Sequence, residues 1–160
     1  MEKPTPIKRH EALKPLSRDH HHGLLLCWKI REGLKRGVSL ERIKKYTDFF
    51  FTSQLRPHFR FEEAEIFPLL GEDHPMAQRA INEHSRLESL FKEEAGEAGF
   101  HSIEKELNRH IRFEERELFR ELQETVSEEK LQNITNKEEE IITPDPDDWD
   151  DKFWQETSKA

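Results

Sequence analysis

HFRFEEAEIF at residues 58–67 and HIRFEERELF at residues 110–119 are one sentence written twice. Seven of the ten positions are identical, and two others exchange one apolar residue for another, Phe59 for Ile111 and Ile66 for Leu118. Repetition at that level sets two segments to one task. Spaced by four and seven, the apolar residues Leu55, Phe59, Ile66 and Leu70 fall on one helical arc, as do Leu107, Ile111, Leu118 and Leu122. Residues four apart share a helix face, so His58 stands over Glu62 and His110 over Glu114, on the apolar side in both copies. A carboxylate turned inward twice is costly unless positive charge or hydrogen-bond donors meet it.

Working outward, capping residues and glycines divide the rest into helices. Ser17 is expected to cap a helix to about Arg36, closed by Gly37, and Ser39 a second to about Leu70, ahead of Gly71. Pro57 lies inside the second and is expected to kink or interrupt it just before His58. Pro75 opens a third helix to about Glu94, and Ser102 caps a fourth from Ile103 to about Val126. No stretch alternates with the period of a strand. The expected fold is all-α: an antiparallel up-down-up-down four-helix bundle over 17–126, with an N-terminal extension at 1–16. Residues 127–160 are expected to form a short helix from Ser127, with Leu131 and Ile134 spaced to touch the bundle, and an acidic tail. That tail, TPDPDDWDDKFWQETSKA, has the composition of a mobile segment; the alternative is that Trp149, Phe153 and Trp154 dock on the bundle or on a partner.

Composition narrows the function. The chain of 160 residues has the length of one domain. A mean hydropathy of −0.97 and no apolar run near the eighteen residues of a membrane span argue against a membrane protein. The start, MEKPTPIKRHEALKP, lacks the apolar core of a secretory signal, so a cytoplasmic location is the expectation. A net charge of −8 argues against nonspecific nucleic-acid binding. The single cysteine, Cys27, leaves no internal disulfide and reads as a small core residue.

Nine histidines carry the remaining signal. With 26 glutamates in the chain, one or two His-x-x-x-Glu pairs arise by chance; His58–Glu62, His84–Glu88 and His110–Glu114 make three, so the spacing alone decides nothing. Two more histidines join the repeated pair. His20 shares a face with Leu16, Leu24 and Cys27, with His21 held in reserve, and His84 shares one with Ala80, Ile81, Leu87 and Phe91. Each helix then offers one inward histidine, and His20, His58, His84 and His110 with Glu62 and Glu114 make six N/O ligands suited to two borderline or hard divalent ions. The plainer alternative is a set of buried His–Glu hydrogen bonds. Glu63 and Glu115, turned off the inner face, are solvated or support the ligands from behind. His10, His74 and His101 have no assigned role.

The order H…HxxxE…H…HxxxE across four helices resembles the hemerythrin-like, or HHE cation-binding, family over about residues 17–126. The resemblance implies a non-haem di-iron centre with an oxo or hydroxo bridge, His20, His58, His84 and His110 as terminal ligands, and Glu62 and Glu114 as bridging carboxylates. Manganese or zinc also suits such ligands. Oxygen-carrying hemerythrins have a second histidine one turn away on the third helix and an aspartate bridge on the fourth. Here Ala80 and Glu88 flank His84, and Glu114 is the bridge, which is similar to the histidine-poorer bacterial branch linked to iron handling, nitric oxide responses and iron–sulfur repair.

The expected function is therefore a metal-binding protein that binds or senses O₂ or NO, or handles iron. A di-iron enzyme that reduces peroxide or NO, or donates iron to damaged clusters, is the second reading. An unmetallated bundle whose tail engages a protein partner is the third. Phe61 and Phe113 are candidates to wall an open coordination position, or simple packing residues.

Overall fold

The computed structural model describes residues 8–93, 96–138 and 144–155, all helix, turn or loop with no strand among them. Helix α1 spans Lys14–Lys35, α2 Leu40–Phe50, α3 Arg56–Phe61, α4 Pro75–Lys92, α5 Gly96–Phe113, α6 Phe119–Thr125 and α7 Glu128–Glu138. None is long and apolar enough to cross a membrane.

Local chemistry explains most boundaries and two surprises. Ser39 caps α2 by accepting from the Arg42 amide, and Gly37, at φ +72°, closes α1 while Val38 N–H reaches back to Gly33 O. Pro75 occupies the first turn of α4. Ser17, however, does not cap α1. His10 caps a short 3₁₀ lead-in at Glu11–Leu13 by accepting the Ala12 amide at 2.9 Å, and Pro15 lies in the first turn of α1, so the helix starts at Lys14. Ser17 instead donates to the Glu115 carboxylate. The helix expected from Ile103 begins at Gly96, because Phe100 lies one turn ahead of Ile103 on the buried face and draws the preceding turn into the fold. α4, expected to run to about Glu94, ends at Lys92, with Glu93 already extended.

Pro57 interrupts its helix in an unexpected way. Phe51–Leu55 forms a π-helical turn that pairs Arg56 N–H with Phe51 O, immediately ahead of the residue that has no N–H to give. Two further π-helical turns, Glu62–Ile66 and Glu114–Leu118, begin at the same glutamate of each repeat. The written repeat is thus a structural one as well.

Two apolar clusters sandwich a polar layer. One contains Leu26, Ile30, Phe50, Leu87, Phe91 and Leu107; the other contains Leu16, Ile66, Ala80, Leu118, Phe119 and Leu122. Along α1 and α4 the chain passes from the second cluster to the first, and along α2–α3 and α5–α6 from the first to the second. The histidines and glutamates of the repeat sit where it crosses between them. Leu131 and Ile134 of α7 bury into the second cluster. Ile81, expected on the inner face, is 41% exposed.

The C-terminal segment takes the docked alternative over its described part. Phe153 is 0% and Trp154 5% exposed, and Trp149 stacks on Phe49 with centroids 4.7 Å apart. Phe153 lies so close to α1 that a Cβ on Gly33 would fall 2.7 Å from its ring. Cations of the bundle meet the acidic residues: Arg42 grips Asp151 with two hydrogen bonds of 3.0 and 2.6 Å. Lys29 pairs with Asp147 at 3.5 Å, with its ammonium 4.1 Å from the Trp154 ring centroid. The aromatic side chains expected to serve a partner or a mobile tail are packed within this chain.

Candidate metal centre

The two repeats and the two single histidines converge on one layer. His20 comes from α1, His58 from α3, His84 from α4 and His110 from α5, while Glu62 and Glu114 open the π-helical turns; all six are at most 5% exposed. His21 is exposed and His22 half-buried, so His20 is the inward member of the triplet. Glu88, the partner in the third His-x-x-x-Glu pair, faces outward to Arg56 and Lys92.

The inner atoms are arranged in pairs. Nε2 of His20 and His58 lie 3.2 Å apart, and Nε2 of His84 and His110 3.1 Å apart. Glu62 Oε1 lies 3.1 Å from His58 Nε2 and 3.2 Å from His84 Nε2, so it spans the two pairs. Glu114 also spans them, with Oε1 2.8 Å from His20 Nε2 and Oε2 3.2 Å from His110 Nε2. Two groups of four result, His20, His58, Glu62, Glu114 and Glu62, His84, His110, Glu114, sharing both carboxylates.

A second ring of carboxylates surrounds the first. Nδ1 of His20 meets Glu115 at 2.8 Å, that of His58 meets Asp19 at 3.0 Å, that of His84 meets Glu63 at 2.9 Å and that of His110 meets Glu83 at 2.8 Å. The pattern is cyclic: each helix supplies the acid that holds the histidine of the next. Asp19 on α1 serves α3, Glu63 beyond α3 serves α4, Glu83 on α4 serves α5, and Glu115 beyond α5 serves α1. Glu63 and Glu115 were legible as supports. Asp19 and Glu83, each directly preceding an inward histidine, were not.

The outer ring fixes the chemistry of the inner one. A carboxylate only accepts, so each Nδ1 carries the proton and each Nε2 turns a lone pair inward. Of the four carboxylate oxygens these nitrogens face, only Glu114 Oε1 has a partner in hydrogen-bonding geometry, His20 Nε2 at 2.8 Å. Both oxygens of Glu62 and Oε2 of Glu114 are buried with no donor in hydrogen-bonding geometry, despite the short distances to imidazole nitrogens. Protons on Nε2 can meet the carboxylates, but they bring inward N–H groups to 3.1 or 3.2 Å within each histidine pair. Divalent ions bound to N and O donors fit the centre.

Without a metal the layer holds protons tightly. Burial lowers the affinity of each imidazole for a proton, but the facing carboxylates outweigh it: His20 rises to about 9 and His58 to about 10, with His84 and His110 raised as well. Burial pushes Glu114 up, yet His110, His20 and His84 hold it well below the usual carboxylate range. Cys27 takes no part: burial pushes its thiol up to about 12, and it donates to Glu104 O.

Aromatic rings close the layer. Phe59 stacks on His84 with centroids 3.8 Å apart, Phe67 lies against the same ring, and Phe119 stacks on His20. Phe61 and Phe113, the candidates from the sequence, pack in the second apolar cluster. His10 and His74, left without a role, both cap helices.

No curated protein and no solved structure gives a match to this sequence. The profile of the hemerythrin HHE cation binding domain matches residues 11–122, a span that contains all six inner residues and all four outer carboxylates. The chain belongs to the hemerythrin HHE cation-binding family.

Proposed function

We propose that His20, His58, His84 and His110 hold two iron ions bridged by Glu62 and Glu114, and that this centre binds a small diatomic ligand, O₂ or NO. The observation that carries the reading is the buried layer of four imidazole nitrogens and two carboxylates, divided into two four-residue groups that share both carboxylates. Two irons there would supply reversible ligand binding and one-electron chemistry. The protein's own contribution is positional. Asp19, Glu63, Glu83 and Glu115 fix each ring and raise its donor strength, while Phe59, Phe67 and Phe119 keep water from the histidines.

The shape of the site supports a small ligand. A cavity of about 10 Å³ lies beside His20, His58 and His110 and is otherwise lined chiefly by Phe50, Leu55, Phe59, Leu107 and Ile111. That is room for about one water-sized molecule, and its apolar wall favours a diatomic over water.

Metal analysis and optical spectroscopy of the purified protein test the reading. The expected result is two irons per chain, near-ultraviolet ligand-to-iron absorption that changes on adding NO, and loss of both in His58→Ala. A chain that holds no iron, or iron that NO leaves spectrally unchanged, refutes it.

A further inference from the structure

The inner ligands are buried, so anything that reaches them must pass a defined opening. A cleft of about 480 Å³ lies between α1, the π-helical turn ahead of Pro57 and α7. Among its lining residues, Asp19, Gln54 and His58 also line the small cavity beside the metal layer. The cleft and the inner cavity therefore share these three residues. His58 and Asp19 are fixed to each other at 3.0 Å. Gln54 is the remaining member, and its side-chain amide donates to the Pro144 carbonyl.

The outer parts of this opening lie beyond the family domain. Thr135 and Glu138 of α7 line the cleft, and Pro144 holds Gln54, whereas the family match ends at residue 122. Another recess, about 250 Å³, reaches His84 from the far side. It shares only Phe59 with the inner cavity, and the Phe59 ring, stacked on His84 at 3.8 Å, closes it.

We propose that two- and three-atom ligands and the metal ions themselves reach the centre through the cleft at Asp19–Gln54–His58, with Gln54 as the constriction and the C-terminal segment setting its position. The proposal rests on the metal-centre reading above. Gln54 is a positioning and selectivity residue that touches no metal. A residue controlling passage changes association and dissociation together and leaves the equilibrium constant alone, whereas one that merely shapes the bound state changes the equilibrium.

The test uses two rates, azide association and dissociation with the iron-loaded chain by stopped flow, and Co²⁺ uptake by the metal-free chain. Gln54→Trp is expected to slow azide association and dissociation at least tenfold, with the affinity within twofold of wild type, and to slow Co²⁺ uptake. Gln54→Ala and Phe153→Ala, the latter unseating the segment that carries Pro144, are expected to speed both processes. Ser85→Trp, which fills the recess over His84, is expected to change neither. Rates that ignore Gln54 while the wild-type chain loads metal overturn the access proposal alone, as does slowing by Ser85→Trp in place of Gln54→Trp. Rates unchanged in Phe153→Ala overturn the part assigned to the C-terminal segment. A wild-type chain that takes up neither iron nor Co²⁺ overturns the metal-centre reading, and the access proposal with it.

Discussion

Removing the carboxylate of Asp19 tests the cyclic support directly. Asp19 adjoins His20 in the chain but holds Nδ1 of His58, at 3.0 Å, while His20 is held by Glu115 at 2.8 Å. Losing an outer carboxylate behind a ligand histidine typically costs about 10- to 100-fold in metal affinity, or roughly 1.4–2.7 kcal/mol. Asp19→Ala is expected to cost that much for the ion held by His20 and His58, read by competition titration of Co²⁺ against a chelator. The decisive measurement is a double-mutant cycle. In a His58→Ala background the ring that Asp19 holds is gone, so Asp19→Ala should add less than about threefold, or roughly 0.7 kcal/mol by the same conversion. In a His20→Ala background the full effect should persist. If the effect of Asp19→Ala disappeared with His20 and survived the loss of His58, the acid would serve its neighbour in sequence, and the cyclic arrangement would be wrong.

Stability responds to pH in opposite senses with and without metal. His20 and His58 hold their protons to about 9 and about 10 in the folded chain against 6.5 when unfolded, so metal-free stability is full below pH 6.5 and lost as pH rises through 9 to 10. Metal affinity rises over the same window because binding expels those inner protons; thermal melts of both forms at several pH values check the two slopes, and equal slopes would refute the account. Phe153→Ala is expected to cost about 3–5 kcal/mol, a fall of roughly 6–20 °C in Tm at about 2–4 °C per kcal/mol, whereas a tail that only waves in solvent would give no change. Gly33→Ala should destabilise by pressing on the Phe153 ring, and that cost should shrink in the Phe153→Ala background. Cys27→Ala should leave metal content unchanged, and iodoacetamide should modify Cys27 only after denaturation, since its thiol is buried.

The inward histidines His20, His58, His84 and His110 and the two repeated glutamates could be read from the sequence, because helical periodicity assigns a residue to a face without knowledge of any neighbour. The caps at Ser39 and Gly37 were legible for the same reason: they are local interactions within a few residues. Ser17 misled, since a cap seen in sequence competes with partners that only the fold supplies, here the carboxylate of Glu115. The π-helical turns at Glu62 and Glu114 were invisible to a rule built on a period of 3.6.

Tertiary structure alone decided three matters. It matched Asp19 to His58 and Glu83 to His110, pairings between helices that no spacing along the chain encodes. It docked Trp149, Phe153 and Trp154, whose acidic surroundings read as a solvated tail until Arg42 and Lys29 arrived from α2 and α1 to neutralise them. It also brought Gln54 to the lining of both a solvent cleft and the inner cavity. The sequence by itself determined which side chains turn inward, because that depends on helical period; what they meet there was left to packing, because hydrogen bonds and ion pairs form across space between segments that are distant along the chain.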